Sequence, residues 1–339
     1  MDTLLLEENS CIDDLRPFTS TRSVLDIRMG VFTLREKWER MLGKGAFELV
    51  SGDTPGALPA NILPTRELIT AIDRAGDGSG ARIIRYPWDI FRYNAEALIT
   101  DFDLVSAGRP SQPIPASVQA INPEKIFIEE GARLQHCLLN ASTGPIYIGR
   151  NAEIMEGSLI RGPFAACEGS TVKMGTKIYG ATTLGPYSSA GGEIKNVVFF
   201  GYSNKGHDGY LGDAVIGEWC NLGAGTSASN LKNNAGDIKV WHPASGRAIS
   251  AGLKCGLLMG DYSRSAINTS FNTGTVVGVC CSVFGEAPPP KYVPDFSWGS
   301  GHRYEWDKAL RDIDNWKKLK NQSLTDTEIL TLKHIFGIL

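Results

Sequence analysis

From Ile148 onward every sixth residue is small or aliphatic: Ile148, Ile154, Ile160, Ala166, Val172, Ile178, Leu184 and Ala190. In a chain that is 42% apolar, a run of eight such positions in one phase arises by chance about once in a thousand. The same spacing recurs in other phases at Ile128 and Leu134, at Ile216 and Leu222, and at Leu253, Met259, Phe271 and Val277 with Ser265 at one position. Each change of phase marks inserted residues, hence a loop. A six-residue rhythm fits neither a helical turn nor a heptad, whereas a short strand plus a tight turn every six residues stacks into a parallel β-helix. Three hexads then make one triangular coil with the aliphatic residue inward, and glycines such as Gly149, Gly157, Gly175, Gly185 and Gly217 permit the corners. About nine coils fit between Ile126 and Phe284.

The flanks have another texture. Thr3-Leu-Leu-Leu and Arg82 to Tyr86 predict short strands, Val31, Leu34, Trp38 and Met41 follow helical spacing, and Thr33-Leu-Arg-Glu36 supplies a capping box. Asn94 is the expected cap of a second helix carrying Ala95, Leu98, Ile99 and Phe102. Pro288-Pro-Pro290 is expected to end the repeats. Trp306, Leu310, Ile313, Trp316 and Leu319 then make an apolar helical stripe, and Ser323 precedes a last helix with Ile329, Leu332, Ile335 and Phe336. The division expected is a truncated α/β unit over 1–120, the solenoid over 121–285, and a linker with C-terminal helices over 286–339.

With 34 Lys and Arg against 37 Asp and Glu the net charge is −3, so no basic field exists to attract a phosphate backbone, and nucleic acid is not an expected partner. Met1 to Glu8 carries acids and no base, against a signal peptide, and no apolar run approaches a membrane span. A cytoplasmic protein is expected. Seven scattered cysteines without a CxxC pair suit buried, reduced thiols, and no metal site is expected.

The chemistry concentrates between Lys173 and Asn230, in KMGTKIYG, EIKN and NKGHDGYLGDAVIGEWCNLGAGTSASN. Gly206-His207, Tyr210-Leu-Gly-Asp213 and Asn221-Leu-Gly-Ala-Gly-Thr226 stand here in an order and spacing that resemble the left-handed β-helix acetyltransferase half of bacterial N-acetylglucosamine-1-phosphate uridyltransferase/glucosamine-1-phosphate acetyltransferase. Lys177 and Lys195 lie 18 residues apart, one full coil, so their side chains are expected to stack about 4.8 Å apart on one face. Two ammonium groups that close call for an anion between them, and the resemblance implies that the pair binds the acceptor's 1-phosphate. His207, in a glycine-bracketed loop, is the candidate general base, because acyl transfer to an amine needs a proton acceptor near neutral pH. The resemblance implies that Tyr210 and Asn230 contact the sugar and that Asn221 belongs to the site. Gly223-Ala224-Gly225, with no helix behind it, is no dinucleotide loop, and its backbone is expected to meet the pantetheine arm of acetyl-CoA. Leu231 stands where the family has a tyrosine, and the lysine expected nearby is out of register at Lys232 or Lys239. The other histidines, His136, His242, His302 and His334, share no hexad register with His207, against a zinc carbonic anhydrase.

Pro17 to Arg22, Arg28 to Gly30, Arg35 to Trp38, Trp88 to Phe91 and Ser297 to Gly299 are similar to P-[LF]-T-x-T-R, R-x-G, R-E-K-W, W-D-I-F and S-W-G of the divergent, alternative form of that family. Yet Glu7-Glu-Asn-Ser-Cys11 has no glycine and two carboxylates where a triphosphate-wrapping turn belongs. The reading is therefore an acetyl-CoA-dependent acyltransferase acting on an amino-sugar 1-phosphate, a homotrimer by family resemblance, with a degenerate nucleotidyltransferase-like N-terminus. Its alternatives are a UTP- or dTTP-dependent sugar-1-phosphate nucleotidyltransferase, which alone would need Mg²⁺, and a non-catalytic sugar-phosphate-binding scaffold.

Overall fold

Each inward aliphatic residue of the hexad rhythm packs on its counterpart one coil away, and that stacking builds the fold. All eight residues of the Ile148 to Ala190 series are buried in one apolar core running from Val118 to Val293. The computed structural model describes residues 3–338 apart from 51, 53 and 76–79. Met1 and Asp2, on which the leader reading partly rests, lie outside them.

The chain is mainly β, a left-handed parallel β-helix of about ten turns. Its strands form three faces. The first runs from Gln119–Ile121 through Leu138–Asn140, Leu159–Arg161, Lys177–Tyr179 and the first halves of Glu193–Gly201 and Tyr210–Glu218 to Ser227–Ala228 and Ser270–Phe271. The second begins at Ile126–Ile128 and takes in the second halves of the two long strands, and the third runs from Arg133–Leu134 to Ser297–Trp298. At the corner between second and third faces, Tyr187, Tyr202, Trp219, Tyr262, Cys280 and Phe296 all hold φ between 54 and 61°. Left-handed backbone costs a non-glycine residue about 1 kcal/mol or more. Part of that is offset by stacking of Tyr187 on Tyr202 and Tyr202 on Trp219, with ring centroids 5.2 and 4.3 Å apart.

The coils continue past the three prolines, where Val276–Val277 pairs with Tyr292–Val293 and Ser282 with Trp298. Proline lacks an N–H but is tolerated in a connection between strands. Leu253 is exposed rather than inward, because it lies beyond the antiparallel hairpin Lys239–His242/Arg247–Ser250 that interrupts the coil.

The N-terminal segment forms a parallel sheet in the order Phe47–Val50, Leu4–Glu7, Leu58–Pro59. The Leu34–Leu42 helix carries the Thr33/Glu36 capping box. Asn94 begins the Asn94–Ser106 helix without capping it. Its side chain accepts from the Gly30 N–H at 2.7 Å and donates to the Ala181 carbonyl at 3.0 Å, tying helix to solenoid. Leu6, Phe18, Trp38 and Trp88 share one core with Val198, Phe200, Val215 and Leu258 of the second face. The C-terminal helices, Trp306–Lys318 and Asp326–Phe336, cover the aromatic corner, and Thr325 caps the last.

Candidate functional site

The first face carries Lys177, Lys195 and Tyr210, in a register that differs from even coils. Lys177 pairs with Glu193, and Lys195 with Tyr179. The coil between them is two residues short of three hexads, so Lys177 and Lys195 sit diagonally instead of stacking. One outward row thus reads Lys177, Glu193, Tyr210, and the next Tyr179, Lys195, Gly212. The Glu193 carboxylate, between the lysine positions, relieves the repulsion that even spacing would create. Its Oε1 accepts from the Tyr179 hydroxyl at 2.6 Å, and that bond, aided by burial and the carboxylate's charge, pushes the Tyr179 phenol up to about 12. The Lys195 ammonium lies 5.6 Å from the centre of the Tyr179 ring.

These rows border an open groove of about 420 Å³ lined by Asn140, Leu159, Arg161, Lys177, Tyr179 and Glu193. Arg161, Tyr179 and Glu193 escaped the sequence reading. Arg161 follows Ile160, which pairs with Ile178, so counting along the hexads reaches Tyr179 from it, but the short coil hides the step to Lys195.

Tyr210 and Asn230 meet at the upper end of this face. The Asn230 amide donates to Asp213, whose other oxygen accepts from Asn196 at 2.7 Å. Burial pushes the Tyr210 phenol up, and a side-chain hydrogen bond with Asn230 opposes that shift. Asp213, buried with two amides on its carboxylate, anchors this end.

His207 lies at the corner that leads from the third face into Tyr210, its side chain exposed. A Cβ on Gly191 would come within 2.7 Å of Gly206 backbone atoms, and Gly209 holds φ 120° while lying against the Thr226 carbonyl. Glycine at both positions lets the loop lie flat on the neighbouring coils. The Gly223–Gly225 corner follows directly, with the Gly225 N–H donating to the Asp208 carbonyl at 3.1 Å. A Cβ on Gly223 would meet the Ala266 backbone at 2.6 Å, so coil stacking itself demands glycine there. Asn221 is the exception among the expected residues. It lies on the third face between Asn204 and Arg264, apart from the lysine rows.

Among the described residues no group of three or more His, Cys, Asp or Glu side chains could hold a metal ion. All seven cysteines are free and buried.

Four of the N-terminal basic residues are engaged by acceptors of the fold itself. Arg22 pairs with Asp261 and, at 3.2 Å, with Glu218, while its guanidinium lies 5.1 Å from the Phe200 ring centre. The Arg28 Nε donates to the Phe200 carbonyl at 3.0 Å, Arg35 pairs with Asp26 at 2.7 Å, and buried Lys37 pairs with buried Asp101. Glu8 accepts from the Ser23 hydroxyl at 2.6 Å and the Val24 N–H at 2.9 Å, closing the loop that follows the Leu4–Glu7 strand.

The fold is a hexapeptide-repeat solenoid with a small α/β segment before it. Residues 3–54 match the sugar nucleotidyl transferase family model. The chain is similar to the bifunctional protein GlmU of Methanocaldococcus jannaschii, 33% identical over 89 residues, which are 26% of this chain and 21% of that protein. It is likewise similar to the bifunctional sugar-1-phosphate nucleotidylyltransferase/acetyltransferase of Sulfurisphaera tokodaii, 34% identical over 93 residues, 27% of this chain and 23% of that protein. The chain thus spans about a fifth of the length of these relatives. Among solved structures, the polySia-specific acetyltransferase NeuO overlaps 55% of this chain and 85% of its own, with 13% identity and a TM-score of 0.30.

Proposed function

We propose that the protein transfers an acetyl group from acetyl-CoA to the amine of an amino-sugar 1-phosphate, at the groove of the first face. The observation that carries this reading is the pair of rows Lys177-Glu193-Tyr210 and Tyr179-Lys195, one corner from His207. In this reading Lys177, Lys195 and Arg161 attract the phosphate, because cationic donors around one groove make charge-assisted bonds to its oxygens. Tyr210 and Asn230 orient the sugar. His207 takes the proton from the attacking amine, the nitrogen bonds to the thioester carbon, and the carbon–sulfur bond breaks. The same imidazole then returns its proton to the departing thiolate.

Gly223, Ala224 and Gly225, on the coil after His207, offer backbone without bulky side chains to the pantetheine arm. A groove on a flat solenoid face encloses a ligand from one side only, so a second copy supplies the other wall, and the assembly proposed is a homotrimer. Asn221, on the third face, serves the site across that interface. Seven unpaired buried cysteines suit a reducing compartment, the cytoplasm, and no described helix is long and apolar enough to cross a membrane. The N-terminal segment acts as a clamp on the solenoid, since Arg22, Arg28, Arg35 and Lys37 are all engaged by the fold's own acceptors.

The test is calorimetric. Glucosamine 1-phosphate should bind the wild type and bind the Lys177→Ala/Lys195→Ala double variant at least tenfold more weakly, about what loss of one charge-assisted contact costs. Equal binding by both proteins would place the acceptor elsewhere.

A further inference from the structure

One inward column of the third face runs Leu134, Ile154, Val172, Ala190, Lys205. A lysine thus occupies a slot that the neighbouring coils fill with apolar side chains. Lys205 is 1% exposed, among the largest fully buried side chains of the protein. The small Ala190 one coil away leaves room for its stem. Its ammonium donates to the His207 carbonyl at 2.7 Å and to the Gly191 carbonyl at 3.2 Å. These two carbonyls belong to adjacent coils, and between them Gly206 and His207 lie against Gly191 too closely for any side chain there. Two charged groups border this corner. Asp208 favours the ammonium form from within the loop, and the Lys173 stem reaches over Gly191 from two coils away, with its Cε 3.9 Å from the Cβ position of Gly206. The solvent-exposed His207 ring is the third titratable group at the corner.

We propose that Lys205 is a positioning residue for His207: its buried ammonium clamps the Gly206–His207 backbone onto the coil below and so fixes where the imidazole stands. A bond from a charged donor is about twice as strong as one from a neutral amine, so the clamp weakens when the ammonium loses its proton. Burial pulls the Lys205 pKa down to about 8, with Asp208 opposing, and the loop therefore loosens above that pH. The catalytic consequence rests on the acetyl-transfer reading, whereas the clamp itself does not.

The test pairs the wild type with Lys205→Met, which keeps the stem and gives the slot an apolar side chain. The Hε1 NMR resonance of His207 is followed against pH in both. The wild type should show an inflection near pH 8, and the variant should lack it. Amide exchange at residues 206–209 should be faster in the variant at pH 7 and unchanged elsewhere in the solenoid. For acetyl transfer, the variant's kcat should fall on the order of tenfold to a hundredfold, with acceptor KM little changed, as expected for a displaced base. Identical resonance curves and exchange rates in the two proteins would overturn the clamp. Should the variant fail to fold, the wild-type curve decides, and a curve without an inflection near pH 8 refutes the proposal. A wild type that shows the inflection yet transfers no acetyl group would support the clamp and sink the acyltransferase reading.

Discussion

Replacing His207 by alanine is expected to lower kcat for acetyl transfer by about a hundredfold to ten-thousandfold, the usual worth of a positioned base, with acceptor KM nearly unchanged. Steady-state kinetics checks it. Glu193→Gln tests the rows from the other side. The Tyr179 phenol is raised first by its bond to the Glu193 carboxylate, so in the variant it should titrate closer to the ordinary tyrosine value, seen as a phenolate absorbance transition at lower pH. Lys37 and Asp101 form a fully buried ion pair whose carboxylate also accepts from the Val31 N–H at 2.7 Å. Lys37→Met strands that charge and should destabilise the fold by about 3–5 kcal/mol in denaturant titration. At this scale sequence and structure agree unevenly. The roles proposed for His207, Tyr210 and Asn230 come from distinctive strings, GH, YLGD and SASN. The partnership of Lys177 with Glu193 is not readable, because nothing local says which coil is short. Asn221 lies on another face of the single chain, so it reaches the proposed site only across the interface between copies.

At the scale of elements, the hexad series is the most legible feature, since nearly all of its inward slots hold apolar or small residues. Ile178, buried in the shared column, makes the point: Ile178→Ala should cost about 2–5 kcal/mol by cavity formation. The buried Lys205 is the exception that hexad counting passes over, because a long aliphatic stem can fill an apolar slot and deliver its charge to backbone carbonyls. The corner ladder of Tyr187, Tyr202 and Trp219 is likewise invisible to periodicity, since stacking depends on coil length as much as on residue type. The C-terminal helices dock there through Glu328, which accepts from Lys317 at 2.6 Å and from the Tyr262 hydroxyl at 2.9 Å. Burial pushes the Glu328 carboxyl up, but Lys317, the Thr325 N–H and Tyr262 together bring it below its ordinary value. A depressed folded value means that docking is fully supported above the ordinary carboxyl range and weakens as pH falls through the folded one. Tryptophan fluorescence from Trp219 and Trp316 should therefore change on acidification, and Glu328→Gln should remove that dependence.

For the whole molecule, the N-terminal segment and the solenoid share a core, so they are expected to unfold together rather than in two steps. Composition and motif strings point to an α/β segment before a solenoid, but they cannot say that Arg22 reaches across to Asp261, some 240 residues away. That contact ties the N-terminal segment to the solenoid. The claim on which the rest depends is acetyl transfer at the first face, and the most direct measurement is thiol release from acetyl-CoA with and without glucosamine 1-phosphate. The expected result is release that requires the acceptor and is lost in His207→Ala. Release indifferent to the acceptor, or undiminished in that variant, would contradict it.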